Sequence, residues 1–173
     1  MNMKNSPQKA FTLIETMIAI TILTLSIVGP MITADRSIVA AETARDQLSA
    51  SYLAQEGIEY VRGIRDDQYL ALYSSGNTNA AWSNFLNGSL TSCRSPGVCT
   101  LGSLKADGTL NFCPNGVSGC APFTLVTPGT PFTRTIQLVD VSATDERIIS
   151  TVSWSFHSTS YVETVTDHLT PWQ

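Results

Sequence analysis

The sequence predicts an α+β chain. One long N-terminal helix, membrane-spanning in its first half and amphipathic in its second, packs on a small antiparallel β-sheet head that carries a disulfide-containing loop region. Three observations predict this. No residue between Thr16 and Ala34 is charged. From Asp35 onward, small and apolar residues recur at 3,4 spacing, the period of one helix face. After Pro131, apolar residues alternate with Thr and Ser, the period of a half-buried strand. A chain of 173 residues has room for one sizeable core plus an anchor.

Residues 1–10 form a short polar leader with two lysines, Lys4 and Lys9, and are excluded from the fold. Phe11 to Ala34 is apolar apart from Glu15; as a helix it is about 36 Å long, enough for a hydrocarbon core of about 30 Å. A buried core helix rarely needs so long an uncharged run. A secretory signal peptide places its small-residue cleavage site after the apolar run, whereas the small residue here, Ala10, precedes it. That order fits a retained anchor trimmed at its front. The lysines before the span place residues 1–10 in the cytoplasm and everything after Ala34 outside.

Ala10-Phe11-Thr12-Leu13-Ile14-Glu15 resembles the prepilin cleavage and methylation motif of type IV pilins and type II secretion pseudopilins. The resemblance implies a cut between Ala10 and Phe11 by a prepilin peptidase and methylation of the Phe11 amine. Glu15 then becomes the fifth residue of the mature chain and takes part in subunit assembly. Ala10 departs from the motif, where Gly is commoner, but is also small. The chemistry of Glu15 can be argued without the resemblance. A carboxylate inside a bilayer helix costs about 2.5–3.5 kcal/mol or more and is usually paired. Cleavage creates an ammonium at Phe11, about 6 Å away along a helix axis, able to neutralise Glu15 of the same chain or of a neighbour. The resemblance implies the neighbour. The alternative is a Glu15 solvated in the headgroup zone. The partners so implied are other pilin or pseudopilin subunits, the peptidase, an inner-membrane assembly platform and the membrane itself.

Residues 11–34 and 35–66 read as the two halves of one helix. Gly29-Pro30 interrupts the first half, because Pro30 lacks an N–H and its ring clashes one turn back. In the second half Ala41, Ala44, Leu48, Ser51, Ala54, Ile58 and Val61 share a stripe that faces a head. Gly63 and Asp66-Asp67 suggest the stop. Leu53 to Asp66 is similar to a run in minor pilins of the PilV-like kind, and Leu169-Thr170-Pro171-Trp172 resembles their C-terminal L-T-x-W.

Residues 67–131 read as the loop-rich part of the head. Residues 74–131 hold 8 of the 11 glycines, 5 of the 8 prolines and all four cysteines, a composition that favours turns. Cys93, Cys99, Cys113 and Cys120 lie on the extracytoplasmic side, where thiols oxidise. Of the three pairings four cysteines allow, Cys93–Cys99 with Cys113–Cys120 closes the shortest loops. No C-x2-C spacing and no neighbouring His supports zinc. Residues 132–173 read as a three-stranded antiparallel meander, with Val152, Trp154 and Phe156 on one face and Thr151, Ser153 and Ser155 on the other.

An enzyme is not expected. His157 and His168 fall in a turn and near a strand end, no nucleophile or phosphate-loop motif occurs, and no cofactor or metal is implied. Asp66-Asp67 and Asp145-Glu146 are placed at turns, without the spacing of a calcium loop. Loss of the leader takes away Lys4 and Lys9 and leaves 8 Lys+Arg against 14 Asp+Glu, so direct nucleic-acid binding is not expected. The predicted function is a minor pilin or pseudopilin: a structural subunit of a type IV pilus or type II secretion-like filament, first held in the cytoplasmic membrane. The alternative is a single-span anchored binding protein that does not polymerise.

Overall fold

The computed structural model describes residues 11–104, 110–114, 124–127 and 130–171. The chain divides into two compact units, Met1–Thr43 and Ala44–Gln173. Helix α1 (Leu13–Leu72) supplies the first and opens the second.

In the first unit every described residue from 11 to 42 is exposed, and the helix is long and apolar enough to cross a membrane. Its hydroxyls are turned inward onto its own backbone. Thr16, Thr21, Thr24 and Ser26 donate to the carbonyls of Leu13, Ile18, Thr21 and Leu23 at 2.7–2.9 Å, and Thr33 to that of Pro30 at 2.8 Å. A helix in lipid has to satisfy its polar groups this way, since no water is there to do it.

In the second unit the helix buries Asp46, Ala50, Ala54, Gly57, Ile58, Val61 and Tyr69. Ala54, Ile58 and Val61 of the expected stripe are buried, but its N-terminal part is not. Leu48 is 56% exposed, and Ala41 and Ala44 are exposed. Small size decides the phase: Ala50, Ala54 and Gly57 let the backbone come close to the sheet, and buried Asp46 accepts a hydrogen bond from Thr130 Oγ1 at 2.8 Å. The helix also outlasts its expected stop. It passes Gly63 and Asp66 to Leu72, because burial of Tyr69 in the core offsets the roughly 1 kcal/mol that a mid-helix glycine costs.

The sheet is antiparallel throughout, in the order β2-β1-β4-β5-β6, with β3 also on β4. The strands are β1 (Cys99–Leu104), β2 (Leu110–Pro114), β3 (Thr124–Thr127), β4 (Thr130–Ser142), β5 (Asp145–Phe156) and β6 (Thr159–Leu169). The expected meander is β4-β5-β6, and its alternation is as read: Val152 and Trp154 are buried while Ser153 and Ser155 are exposed. The expected loop region holds more order than its composition suggests. It contains β1, β2, β3 and a second helix, α2 (Thr78–Leu86). Asn77 caps α2 by accepting the Ala80 N–H at 3.2 Å. Trp82 and Phe85 carry α2 into the core beside Ile58, Val61, Ile136 and Ile148, and Trp82 Nε1 donates to the Ala143 carbonyl in the β4–β5 turn at 2.9 Å.

Cys93 and Cys99 are bridged. Cys113 is also disulfide-bonded; Cys120, its expected partner, lies outside the described residues, and so do the leader residues with Ala10.

Candidate functional site

Of the predicted site residues, Phe11 and Glu15 lie at the start of α1, Gly29 and Pro30 lie further along it, and Cys93, Cys99 and Cys113 belong to the head. Thr12 is the residue just before the helix. Its carbonyl accepts the N–H groups of Glu15 and Thr16 at 3.1 and 3.2 Å, and its Oγ1 accepts the Glu15 N–H at 3.4 Å. Thr12 therefore caps the helix and Glu15 takes the third helical position, where the helix dipole favours a negative charge. The signal for this is the spacing Thr12-x-x-Glu15, that of a capping box, which the reading of the sequence above did not use.

Phe11, 78% exposed, directly precedes the cap. Among the described residues the carboxylate of Glu15 has no hydrogen-bond or ion-pair partner. It is thus the one ionisable side chain in a stretch, Leu13 to Ala34, whose hydroxyls are all bonded within the helix.

Gly29 and Pro30 do not break the helix, which is continuous across them. Pro30 still removes one donor, so the Ser26 carbonyl has no N–H four residues on. Gly29 has nothing within 4 Å of where a Cβ would stand.

The charged groups of the head behave differently from Glu15. Arg134 is fully buried on β4. It donates to Glu56 Oε2 at 2.6 Å and to the Leu53 and Gly102 carbonyls at 2.9 and 3.0 Å, so one guanidinium joins α1, β4 and β1. On β5, Glu146 is 1% exposed and is held by Arg94 through contacts of 3.2 and 2.9 Å. Burial pushes its carboxyl above the ordinary value of 4.5, against the pull of Arg94. Arg62 bridges Glu59 and, at 2.6 Å, Asp167 of β6; the hydrogen bond to Asp167 is the main reason its pKa is raised. Of the carboxylates considered for calcium, Asp66, Asp145 and Glu146 have basic partners. Asp66 lies inside α1, not at a turn, and pairs with Arg65 at 2.8 Å, while Asp145 pairs with His168 at 2.8 Å. The residues lining the groove between α1 and β6 include Tyr52, Glu56, Glu59, Arg62, Val165 and Asp167.

Residues 5–29 match the family model of the prokaryotic N-terminal methylation motif. Neither the curated proteins nor the solved structures hold a match to the chain. The motif implies processing by prepilin peptidase and assembly with other pilins. Together with the exposed apolar helix that carries it, the motif points to membrane association and supports a type IV pilin-like protein.

Proposed function

We propose that the chain is a minor pilin or pseudopilin, assembled through its N-terminal helix into a type IV pilus or a type II secretion-like filament. The observation that carries this is the pair formed by Glu15 and the site of the new amine. Glu15 is the single carboxylate in an apolar helix that has satisfied its other polar side chains, and it sits one turn from Phe11. Cleavage after Ala10 would supply an ammonium at Phe11. The Phe11 amine of one subunit would neutralise Glu15 of the next as that subunit leaves the membrane, where a partner for an acid is worth most. Residues 11–34 would then be the filament core, with Gly29-Pro30 the point where the helix yields on packing, and the amphipathic helix 35–66 with the head, residues 67–173, would be displayed outside. The N-terminus would face the cytoplasm before cleavage, and an inner-membrane platform would drive extraction. No part of this reading calls for catalysis.

The test is twofold. Mass spectrometry of the mature chain should find an N-methylated Phe11 at its start. Glu15→Gln should insert in the membrane at normal level but fall to about a tenth or less of wild-type incorporation into sheared fibres, the loss expected when an acid–amine pair of this cost is removed. A chain that keeps Met1 and never enters fibres would instead be the anchored binding protein.

A further inference from the structure

Residues 93–99 form a small closed loop that the assembly reading does not use. The Cys93–Cys99 bridge joins its ends, and both cysteines are fully buried. The loop lies along β4 and is tied there twice: the Ser95 N–H donates to the Leu138 carbonyl at 2.7 Å, and Gln137 Nε2 donates to the Gly97 carbonyl at 3.3 Å. A third tie crosses to β5, where Arg94 Nε and Nη2 grip the two oxygens of Glu146 at 3.2 and 2.9 Å, with Asp140 3.5 Å from Nη2. Gly97 leaves the loop no slack, since a Cβ there would stand 2.2 Å from the Ser92 carbonyl oxygen and 2.8 Å from that of Arg94.

We propose that the bridge and the Arg94–Glu146 clasp are two halves of one latch: the clasp seals the Cys93–Cys99 bond against reductants, and the bond keeps Arg94 on Glu146. A reductant must reach a sulfur along the S–S axis, and neither sulfur is accessible while the loop lies flat. Lifting the loop pulls Arg94 away and leaves a carboxylate at a buried position without its counter-charge, which is the costly way to break such a pair. Coupling of this kind is reciprocal. While the latch is closed the bond is beyond the reach of thiols in the surrounding compartment.

The probe is a water-soluble trialkylphosphine acting on the full chain in detergent micelles. Phosphorus attacks one sulfur, the other leaves as thiolate, and water delivers oxygen to the phosphine and protons to the two thiols. Alkylation and peptide mass spectrometry then read Cys93 and Cys99 separately from Cys113. Arg94→Ala is expected to speed reduction at Cys93–Cys99 on the order of tenfold or more, with Arg94→Lys, which keeps the charge but not the two-pronged grip, in between. Phe132→Leu weakens a separate buried group, Phe132 with Val152 and Trp154, and should leave the rate unchanged. Equal rates for Arg94→Ala and wild type would overturn the latch. So would equal acceleration by Phe132→Leu, which would mean that reduction follows global unfolding. Should Arg94→Ala not fold, Glu146→Gln takes its place with the same expectation. These outcomes do not depend on whether the protein polymerises.

Discussion

Gly57 and Gly63 stand six residues apart in α1, and the same substitution should act on them with opposite signs. At Gly63 a Cβ meets nothing within 4 Å. Replacing it by Ala removes only the helix-propensity cost of glycine, a gain of about 0.8–1 kcal/mol. At Gly57 a Cβ would stand 2.7 Å from Ser150 Oγ, 2.9 Å from Ile136 Cδ1 and 3.2 Å from Arg134 Cδ. The three side chains are fully buried, so none can swing out to make room. The same propensity gain is then set against overpacking of about 1–3 kcal/mol. The quantity to measure is the difference between the two variants, about 1–3 kcal/mol, because it cancels propensity. For a chain of this size each kcal/mol moves Tm by about 2–4 °C. Thermal unfolding of the full chain in micelles, followed by near-ultraviolet circular dichroism from Trp82 and Trp154, gives both values. If Gly57→Ala melts as high as Gly63→Ala, the close approach of α1 to β5 does not exist and the phase assigned to the buried stripe is wrong.

Glu146 gives a pH prediction. Its folded pKa lies above the ordinary 4.5, so its contribution to stability is fully present below 4.5 and is lost as pH rises through the folded value. The wild type should lose stability relative to Glu146→Gln across that window, and melts from about pH 4 to about pH 8 will show it; a flat or inverted difference curve rejects the assignment. The β5–β6 turn gives another. His157 and Ser158 hold φ of 47° and 65°, a left-handed pair suited to Asn-Gly. The double substitution to Asn-Gly should gain about 1 kcal/mol, most of the left-handed penalty less the stacking of His157 on Phe156. Urea unfolding measures it, and an unchanged midpoint would mean the turn is not strained.

The helix and the meander were legible because their signals are periodic and local. Nineteen uncharged residues and a two-residue alternation survive without knowledge of neighbours. The middle of the chain was not legible for the opposite reason. Asn77 with Ala81, Trp82 and Phe85 does carry a cap and a 3,4 pattern, but Gly76 and Gly88 on either side masked it. β1 owes its place to pairing with a strand more than thirty residues later, Leu101 opposite Arg134, and no local propensity announces such a partner. The helix face was legible at Ala54, Ile58 and Val61 but not further back, where Leu48 is exposed and the buried residues are Ala50 and Asp46, a small residue and an acid that carry no apolar signal. At the candidate site the motif was plain, and the capping geometry of Thr12 was present in the spacing but unused. Arg134 could not have been found from sequence. An arginine in an alternating strand reads as a break in the apolar face, and only the carbonyls of Leu53 and Gly102 explain it.

Arg134 and Glu15 together show what this fold does with charge. Arg134 is fully buried in the head, and the chain closes around it. Gly57 removes a side chain where the guanidinium stem passes, two carbonyls from different elements turn toward it, and Glu56 reaches over from the helix. Removing one partner of such an arrangement costs about 3–5 kcal/mol, so the arginine fixes how α1 lies on the sheet. Glu146 is treated likewise, with Arg94 brought to it by a closed loop. A chain that builds two such arrangements in its head leaves Glu15 with only a capped backbone N–H and no cation among its described residues. In water that would call for no account. In an apolar helix within lipid an unmatched carboxylate is costly, and no group among the described residues offsets that cost. If the chain assembles as proposed, the same acid is a penalty on the isolated subunit and a driving force for bringing it beside a cleaved neighbour.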